Sequence, residues 1–502
     1  MTRKLFIFGA MLPLLLGGAA VVCAQSQPVT QNSPATQQSQ STIPPQTPPN
    51  QNSSQSCQQN DSQSNAGSDD SDSTPVTLFP HSGTSRWWIS GQANIVLQGH
   101  PTFPAQYTGP NSLSAPAQSA TTHILTLYTG FALTHTTEIF ADPEFATGGG
   151  VGGAVGLAGY SNLDAVRTVQ GVALAEKPYI ARLMIRQIIP LSKEMVNEDR
   201  DELHLATSVP VRRFEVRLGK FSLVDFFDNN TWGSDSHLQF LNWTVDDNGA
   251  YDYAANTRGY TDGLIVEYYD HWFAARYGLT LEPKEANGNF LDADLARARA
   301  ENVELQATGK LIAHQTGTVR LLGFWNTADM GNYREAIGEF LSGEVAGAPN
   351  IVDTRVQGRH KYGTGLSFEQ VITPRIGVFG RFGWDDGHTE SWAYTEVDNT
   401  VEVGVNAPGR SWHRNHDSAG FAFVSNGIAK DHAQYLMLGG MGFLLGDGNL
   451  TYGRETIEEA YFNVHFWRGL FGAFDLQHIN NPGYNQARGP VLMPGLRAHV
   501  DF

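Results

Sequence analysis

Alternation of apolar and polar residues is the main pattern of the chain after residue 84. In 214–219, for example, Phe214, Val216 and Leu218 fall on one face, and Glu215 and Arg217 fall on the other. A period of two residues is typical of a β-strand with one apolar face. The pattern recurs in 87–98, 272–281, 303–311, 460–466 and 496–502. The sequence therefore predicts an all-β protein built mainly of amphipathic strands.

The first 24 residues have the three parts of a secretory signal. They begin with Arg3 and Lys4, continue with an apolar core and end in small residues that predict cleavage after Ala24. A lipoprotein signal centred on Cys23 is the alternative, but the Val22 before it is larger than such signals normally carry. The prediction is export through a cleaved signal peptide, residues 1–24.

Residues 25–83 are rich in Gln, Ser, Asn, Pro and Thr. Such a composition buries too little apolar surface to offset the entropy of the chain, so it predicts a disordered periplasmic spacer. A contact with the cell wall or a periplasmic partner is the functional alternative. The formal net charge of −17 makes nucleic acid an unsuitable partner.

No later segment reaches the roughly 18 apolar residues of a membrane-spanning helix, so a membrane protein made from this chain would need a closed barrel. At about ten residues per strand plus a turn and a loop, residues 84–502 would supply about 16 strands around an aqueous lumen. The last strand alternates and ends on Phe502. The prediction is a transmembrane antiparallel β-barrel. A secreted sugar-binding β-sandwich would show the same alternation and is the alternative.

Residues 225–262 interrupt the strands with a segment that is too long for a simple connection and too aromatic to be disordered. We expect it to fold into the barrel as a constriction loop. Trp232, Trp243 and Tyr251 could form a stacking track for sugars, or the aromatic rings of the segment could simply pack the loop. They are Phe226, Phe227, Trp232, Phe240, Trp243, Tyr251 and Tyr253.

Charged residues share the polar face of several predicted strands. Arg182 and Arg186 lie opposite Ala181, Leu183 and Ile185, so lipid on the apolar side would place both guanidinium groups in the lumen. The planar fork of arginine suits paired acceptors such as sugar hydroxyls. The alternative is that these charges line a wide wet channel or pair with each other.

Three motifs, GKFSLVDFFD (219–228), SDSHLQFLNW (234–243) and NGAYDYAANTRGYTDG (248–263), closely resemble the carbohydrate-selective, OprB-like porins of Gram-negative outer membranes. DPEFATGGG (142–150), GLAGYSNLD (156–164) and KPYIARLMIRQII (177–189) fit the same family. The resemblance implies passive diffusion of mono- or oligosaccharides through a pore that arginines and acidic partners narrow. The implied pore-lining residues are Glu138, Glu144, Arg182 and Arg186, which lie in or beside these motifs. Arg217 is a further lumen candidate by its strand phase, and Trp243 and Arg258 complete the predicted set.

Patterns for catalysis and cofactor binding are weak. The sequence has no Gly-x-Ser-x-Gly elbow, and Gly148, Gly150 and Gly153 satisfy GxGxxG without a strand–turn–helix setting. The aspartates of 225–262 lack EF-hand spacing, although a calcium ion ordering this loop remains an open alternative. We therefore predict no catalytic residue, no cofactor and no metal.

The remaining alternatives are a general-diffusion or other-substrate channel and an outer-membrane glycan-active enzyme. The expected partners are sugars as solute, outer-membrane lipid and lipopolysaccharide, and the assembly machinery of that membrane. A monomer or a homotrimer is expected.

Overall fold

A closed antiparallel β-barrel of 16 strands forms the part of the chain that the computed structural model describes, which is residues 76–165, 176–312 and 314–502. The expected signal peptide and the spacer up to residue 75 lie outside these residues. The barrel closes where β1 pairs with β18, with Gln92 opposite Asp501. The prediction of about 16 strands is confirmed.

The strands are β1 (Trp87–His100), β2 (Gln118–Ala132), β3 (Thr137–Gly148), β4 (Tyr179–Pro190), β5 (Met195–Asn197), β6 (Ser208–Pro210), β7 (Arg213–Phe221), β8 (Thr261–Tyr269), β9 (Phe273–Thr280), β10 (Arg299–Lys310), β11 (Thr316–Met330), β12 (Val356–Thr373), β13 (Ile376–Asp385), β14 (Asn399–Pro408), β15 (Ser418–Gly427), β16 (Glu455–Trp467), β17 (Leu470–Asn480) and β18 (Val491–Asp501). Strands β5 and β6 form a separate hairpin. The other strands make the barrel wall.

The wall has an apolar outside and a polar inside. On β1, Ile95 and Leu97 are exposed, while the flanking polar residues Asn94 and Gln98 are buried. A soluble sandwich would bury the apolar face instead. The observed arrangement is that of a barrel in lipid, so the β-sandwich alternative is wrong.

One predicted outward position proves to be buried. Ala181 is 0% exposed, although Leu183 and Ile185 on the same strand do face outward. Between β3 and β4 the pairing shifts register, so that Arg182 lies opposite Asp142 and Ile180 lies opposite Pro143. Proline cannot donate a ladder hydrogen bond, and a bulge beside it leaves Ala181 without a partner and turned inward.

The connections differ strongly between the two ends of the barrel. At one end most are short, such as 133–136 and 374–375, and at the other they are long. Long loops are typical of the outer surface of such barrels and short turns of the periplasmic side. Three helices lie in the long loops: α1 (Trp243–Asp246), α2 (Tyr333–Ser342) and α3 (Lys430–Met437). Within the described residues, none of the helices is long and apolar enough to cross a membrane.

A buried histidine joins three of the long loops. His432 on α3 is 0% exposed, and its Nδ1 lies 3.0 Å from Asp398 Oδ2. Its Nε2 lies 3.8 Å from Glu396 Oε2, and its ring stacks on Tyr333 of the α2 loop with centroids 4.3 Å apart. Burial opposes the charged imidazole, but the two carboxylates outweigh it and raise the pKa of His432 to about 9. The histidine is therefore charged at neutral pH and holds the loops together.

Alkaline pH should loosen this contact. Because the pKa of His432 in the folded protein is above its ordinary value of about 6.5, the contribution to stability is complete below that value and is lost as the pH rises through about 9. We expect the amides of α3 to exchange hydrogen faster at about pH 10 than at pH 7, after correction for the intrinsic rate. The variant His432→Gln should remove the difference. Equal protection of the wild-type protein at both pH values would contradict the expectation.

Candidate functional site

The connection between β7 and β8, residues 222–260 and here called loop 3, folds into the barrel. Its backbone amide at Thr231 donates to Glu369 on β12 (2.7 Å), and that at Leu241 donates to Glu459 on β16 (2.6 Å). The Tyr251 hydroxyl donates to Asn302 on β10 (2.9 Å). All three acceptors are buried, inward-facing side chains. Loop 3 therefore lies against the inner wall and narrows the lumen, as the sequence predicts.

Arg381 on β13 is the main attachment of loop 3. Its guanidinium group is 0% exposed and donates to the backbone oxygens of Val245 (2.9 Å) and Asp246 (2.8 Å). It also donates to the Ser234 hydroxyl (2.6 Å) and forms an ion pair with Asp228 (3.0 Å). One arginine thus fixes three separate parts of loop 3.

A row of alternating carboxylates and guanidinium groups, here called the charge ladder, crosses the inner wall from β3 to β10. Its members in order are Glu138, Arg186, Glu215, Arg217, Glu267, Arg276 and Glu304. Each member forms an ion pair with the next, because the inward positions of neighbouring strands lie side by side. Buried charges are tolerated when they are paired and hydrogen-bonded in this way.

The charge ladder contains three of the predicted site residues. Arg186 holds Glu215 with two hydrogen bonds of 2.7 Å and Glu138 with one of 2.9 Å, and its side chain is 0% exposed. Arg217, 1% exposed, pairs with Glu267 and with Glu215. Glu138, Arg186 and Arg217 are thus brought together, but their hydrogen-bonding groups are directed at each other, at neighbouring carboxylates and at residues 204–206 of the connection between β4 and β7.

Arg182 lies further along β4 and is more open. Its Nε and Nη2 donate to both carboxylate oxygens of Asp225 in loop 3, at 2.8 and 2.5 Å, and its side chain is 12% exposed. Its Nη1 lies 3.7 Å from Asp142 Oδ2, which has no hydrogen-bond partner. The Arg182 guanidinium group therefore keeps a spare donor where loop 3 meets the wall, while the side chain of Asp142 is 0% exposed. A sugar hydroxyl can accept a hydrogen bond from such a donor.

Glu144 lies on the same inward face of β3 as Asp142, beside aromatic hydroxyl groups. It accepts hydrogen bonds from Thr126 (2.8 Å), from Tyr260 at the end of loop 3 (3.1 Å) and from Tyr179. The guanidinium carbon of Arg258 lies 3.9 Å from the centre of the Tyr179 ring. Glu144 and Arg258 are thus neighbours through Tyr179, in a polar and aromatic corner of the lumen.

Trp243 lies apart from these charges, in a packed aromatic cluster. Its ring stacks on Tyr394 with centroids 4.4 Å apart, and Tyr253 and Tyr160 adjoin it. The residue is 7% exposed. A sugar ring would have to displace a neighbouring aromatic ring to stack on its face. In this structure Trp243 therefore packs loop 3 against the neighbouring loops.

Two contributors to the site were missed as site residues in the sequence. Asp142 and Asp225 both lie within the family motifs, and Asp225 is one of the loop aspartates whose spacing does not fit an EF-hand. Asp225 instead pairs with Arg182, and Asp228 pairs with Arg381. Within the described parts of the chain, no group of three or more His, Cys, Asp or Glu side chains is placed to hold a metal ion. The motif positions were the signal that could have identified both aspartates.

The closed barrel, its apolar outer face and its charged, loop-narrowed lumen define an outer-membrane porin. The model of the carbohydrate-selective porin, OprB family matches residues 181–502. The high-pH structure of Pseudomonas putida OprB is similar, with a TM-score of 0.62 and 16% identity over 83% of this chain and 94% of that one.

Two further similar structures have TM-scores below 0.5 and do not carry the assignment. The low-pH structure of Pseudomonas putida OprB gives 0.44 at 12% identity, over 83% of this chain and 92% of that one. The outer membrane channel DcaP of Acinetobacter baumannii gives 0.43 at 8% identity, over 83% and 97%. No curated protein matches the chain.

The chain belongs to the carbohydrate-selective porin, OprB family. It is a carbohydrate-selective porin of the outer membrane. The family and the fold also indicate a channel rather than an enzyme.

Proposed function

We propose that mono- or oligosaccharides diffuse passively through the barrel and are selected where loop 3 meets β3 and β4. The observation that carries this proposal is the partly exposed Arg182–Asp225 pair. It joins the wall to loop 3 and is the most exposed of the ion pairs that Arg182, Arg186 and Arg217 make. Glu144 and Arg258 are proposed as further contacts on the same side of the lumen.

In this proposal the other predicted residues do not contact the sugar and have structural roles instead. Glu138, Arg186 and Arg217 shape the wall through the charge ladder, and Trp243 keeps loop 3 in place. Their burial supports this division, since a solute in the lumen cannot reach a guanidinium group that is 0% or 1% exposed without rearranging its partners. The absence of a chemical step, and hence of catalytic residues and cofactors, is also part of the proposal.

Planar-bilayer recording with the purified protein tests the proposal. We expect monosaccharides to lower the single-channel conductance in a concentration-dependent manner, because a bound sugar displaces ions from the narrowest part. Uncharged polyols of matched size should lower the single-channel conductance less than sugars do. Equal effects of sugars and polyols, with equal permeation in liposome swelling, would instead support a general-diffusion channel. Turnover of a glycan by the protein would support the enzyme alternative.

We also propose the cellular setting that the sequence implies. Residues 1–24 act as a cleaved signal peptide, 25–83 act as a periplasmic spacer, and 84–502 form the porin domain. The assembly machinery and lipopolysaccharide are the expected partners during and after insertion, and the protein is a monomer or a homotrimer. Amino-terminal sequencing of the mature protein tests the cleavage after Ala24, and native mass spectrometry in detergent distinguishes one copy from three.

A further inference from the structure

One connection at the short-turn end of the barrel is unusually long. Residues 191–212 join β4 to β7, whereas 374–375 suffice to join β12 to β13 at the same end. The β5–β6 hairpin lies within this connection, and the Glu198 amide closes it by donating to the Thr207 carbonyl oxygen (3.1 Å). The residues between them, Asp199–Ala206, are here called the hairpin tip. A tip of this length is not needed to reverse the chain.

The hairpin tip reaches the inside of the barrel. The backbone amides of Leu205 and Ala206 donate to the carboxylate of Glu138 at 3.3 and 2.7 Å. Glu138 is 1% exposed and belongs to the inward-facing charge ladder. Leu205 is 4% exposed and packs against Gly130 of β2, where an added Cβ would lie 2.9 Å from the leucine Cδ1. The hairpin tip therefore lies inside the barrel, against the part of the wall that β2 and β3 form.

A second attachment joins the hairpin tip to β7. His204 Nε2 lies 3.1 Å from Arg217 Nη2, and His204 Nδ1 lies 2.8 Å from Asp201 Oδ1. An arginine can only donate, so His204 accepts at Nε2 and donates from Nδ1. At the base of the tip, Glu198 forms an ion pair with Arg213. The tip is thus fixed from two sides by inward-facing side chains.

We propose that the hairpin tip forms a second constriction, at the periplasmic end of the channel, and that Glu138 and Arg217 are positioning residues that hold it there. Strand β4 runs from the long-loop end to the short-turn end, so a solute entering from outside passes Arg182 first and the tip afterwards. The proposal rests on the proposed function only in that the barrel conducts solutes.

Shortening the hairpin tests the proposal. Replacing Asp199–Ala206 with Asn-Gly keeps the Glu198–Thr207 pair and closes it with a two-residue turn that suits a β-hairpin. We expect a rise of about twofold or more in single-channel salt conductance and faster liposome swelling with trisaccharides relative to monosaccharides. The matched control shortens another connection at the same end by replacing Ser411–Asn415, which includes exposed residues, with Gly-Gly. This control variant should leave both the salt conductance and the relative rates of liposome swelling unchanged.

The variant Glu138→Ala tests the positioning role in the full-length hairpin. It should raise salt conductance, whereas Glu138→Gln, which keeps an oxygen acceptor for the Ala206 amide, should restore most of the wild-type value. In the shortened hairpin, Glu138→Ala should have no further effect on conductance, because the group it positions is gone. A direct sugar contact would instead weaken sugar block equally in both backgrounds.

The results separate this proposal from the proposed function. Conductance is measured in salt without sugar, so a change on shortening the hairpin supports the second constriction even if sugars are not selected. Unchanged conductance and unchanged solute size limits, in a shortened protein that keeps heat-modifiable migration, would overturn it. If the shortened protein does not fold, unchanged conductance in Glu138→Ala overturns it instead.

Discussion

Replacing Arg381 with leucine is expected to release loop 3 from the barrel wall, raise the salt conductance and remove the preference for sugars. The guanidinium group fixes loop 3 through the backbone oxygens of Val245 and Asp246 and through Asp228. It also pairs with Glu402 on β14 at 3.1 Å. Leucine would leave two carboxylates buried without their partner. Breaking a buried ion pair in this way costs about 3–5 kcal/mol.

The measurements are single-channel conductance, sugar block and the temperature at which the barrel loses heat-modifiable migration. Arg381→Lys should be intermediate, because lysine keeps the charge but lacks the planar fork that reaches several acceptors at once. Arg334→Leu is the control. Arg334 pairs with Asp431, but its side chain is 76% exposed, so the loss should be about 0–1 kcal/mol with conductance unchanged. A wild-type sugar preference in Arg381→Leu would show that loop 3 does not depend on this attachment.

Arg182→Lys is expected to weaken sugar binding about tenfold or more, while Arg186→Lys should leave it nearly unchanged. A hydrogen bond to a charged group contributes about 1.5–3 kcal/mol, and about 1.4 kcal/mol corresponds to a factor of ten in affinity. Lysine at 182 keeps a charge for Asp225 but loses the Nη1 donor beside Asp142. Lysine at 186 changes a guanidinium group that the lumen does not reach. The two variants are therefore matched in chemistry and differ in exposure.

Current block by a monosaccharide, titrated for both variants and the wild-type protein, gives the dissociation constants. Thermal stability should show the opposite order, because Arg186 holds both Glu138 and Glu215 and its replacement weakens more of the charge ladder. If both variants lose sugar affinity equally, sugars contact the ladder directly. If neither variant loses sugar affinity, the sugar-binding site is not at Arg182.

The two constrictions would have different tasks. The Arg182–Asp225 pair offers hydrogen-bonding groups whose charges are balanced, which suits uncharged sugars that must bind and also leave. The hairpin tip packs Leu205 against the wall and is held by Glu138 and Arg217, so it would act mainly by occupying space in the channel. Conductance and sugar block should therefore respond separately to changes at the two places.

The sequence predicted the barrel because its evidence is local. Each strand carries its own alternation, as Phe214 and Leu218 do against Glu215 and Arg217, and lipid outside a polar lumen explains that alternation. The aromatic content of 225–262 likewise predicted a folded loop before its contacts were known. The inward direction of Arg182, Arg186 and Arg217 followed from the same period of two. Only at Ala181 did that reasoning fail, since a bulge beside Pro143 interrupts the period.

The sequence by itself therefore determined the barrel class, the approximate number of strands, the lumen-facing side of the clearly alternating strands and the family motifs. The tertiary structure decided which of the lumen-facing charges pair with each other. Burial separates Arg182, which keeps a spare donor, from Arg186, which does not, and this depends on neighbours that are far away in the chain. The places of Asp225, Arg381 and the hairpin tip depend on the same long-range contacts. Periodicity gives the direction of a side chain, whereas its partner depends on barrel closure and strand register.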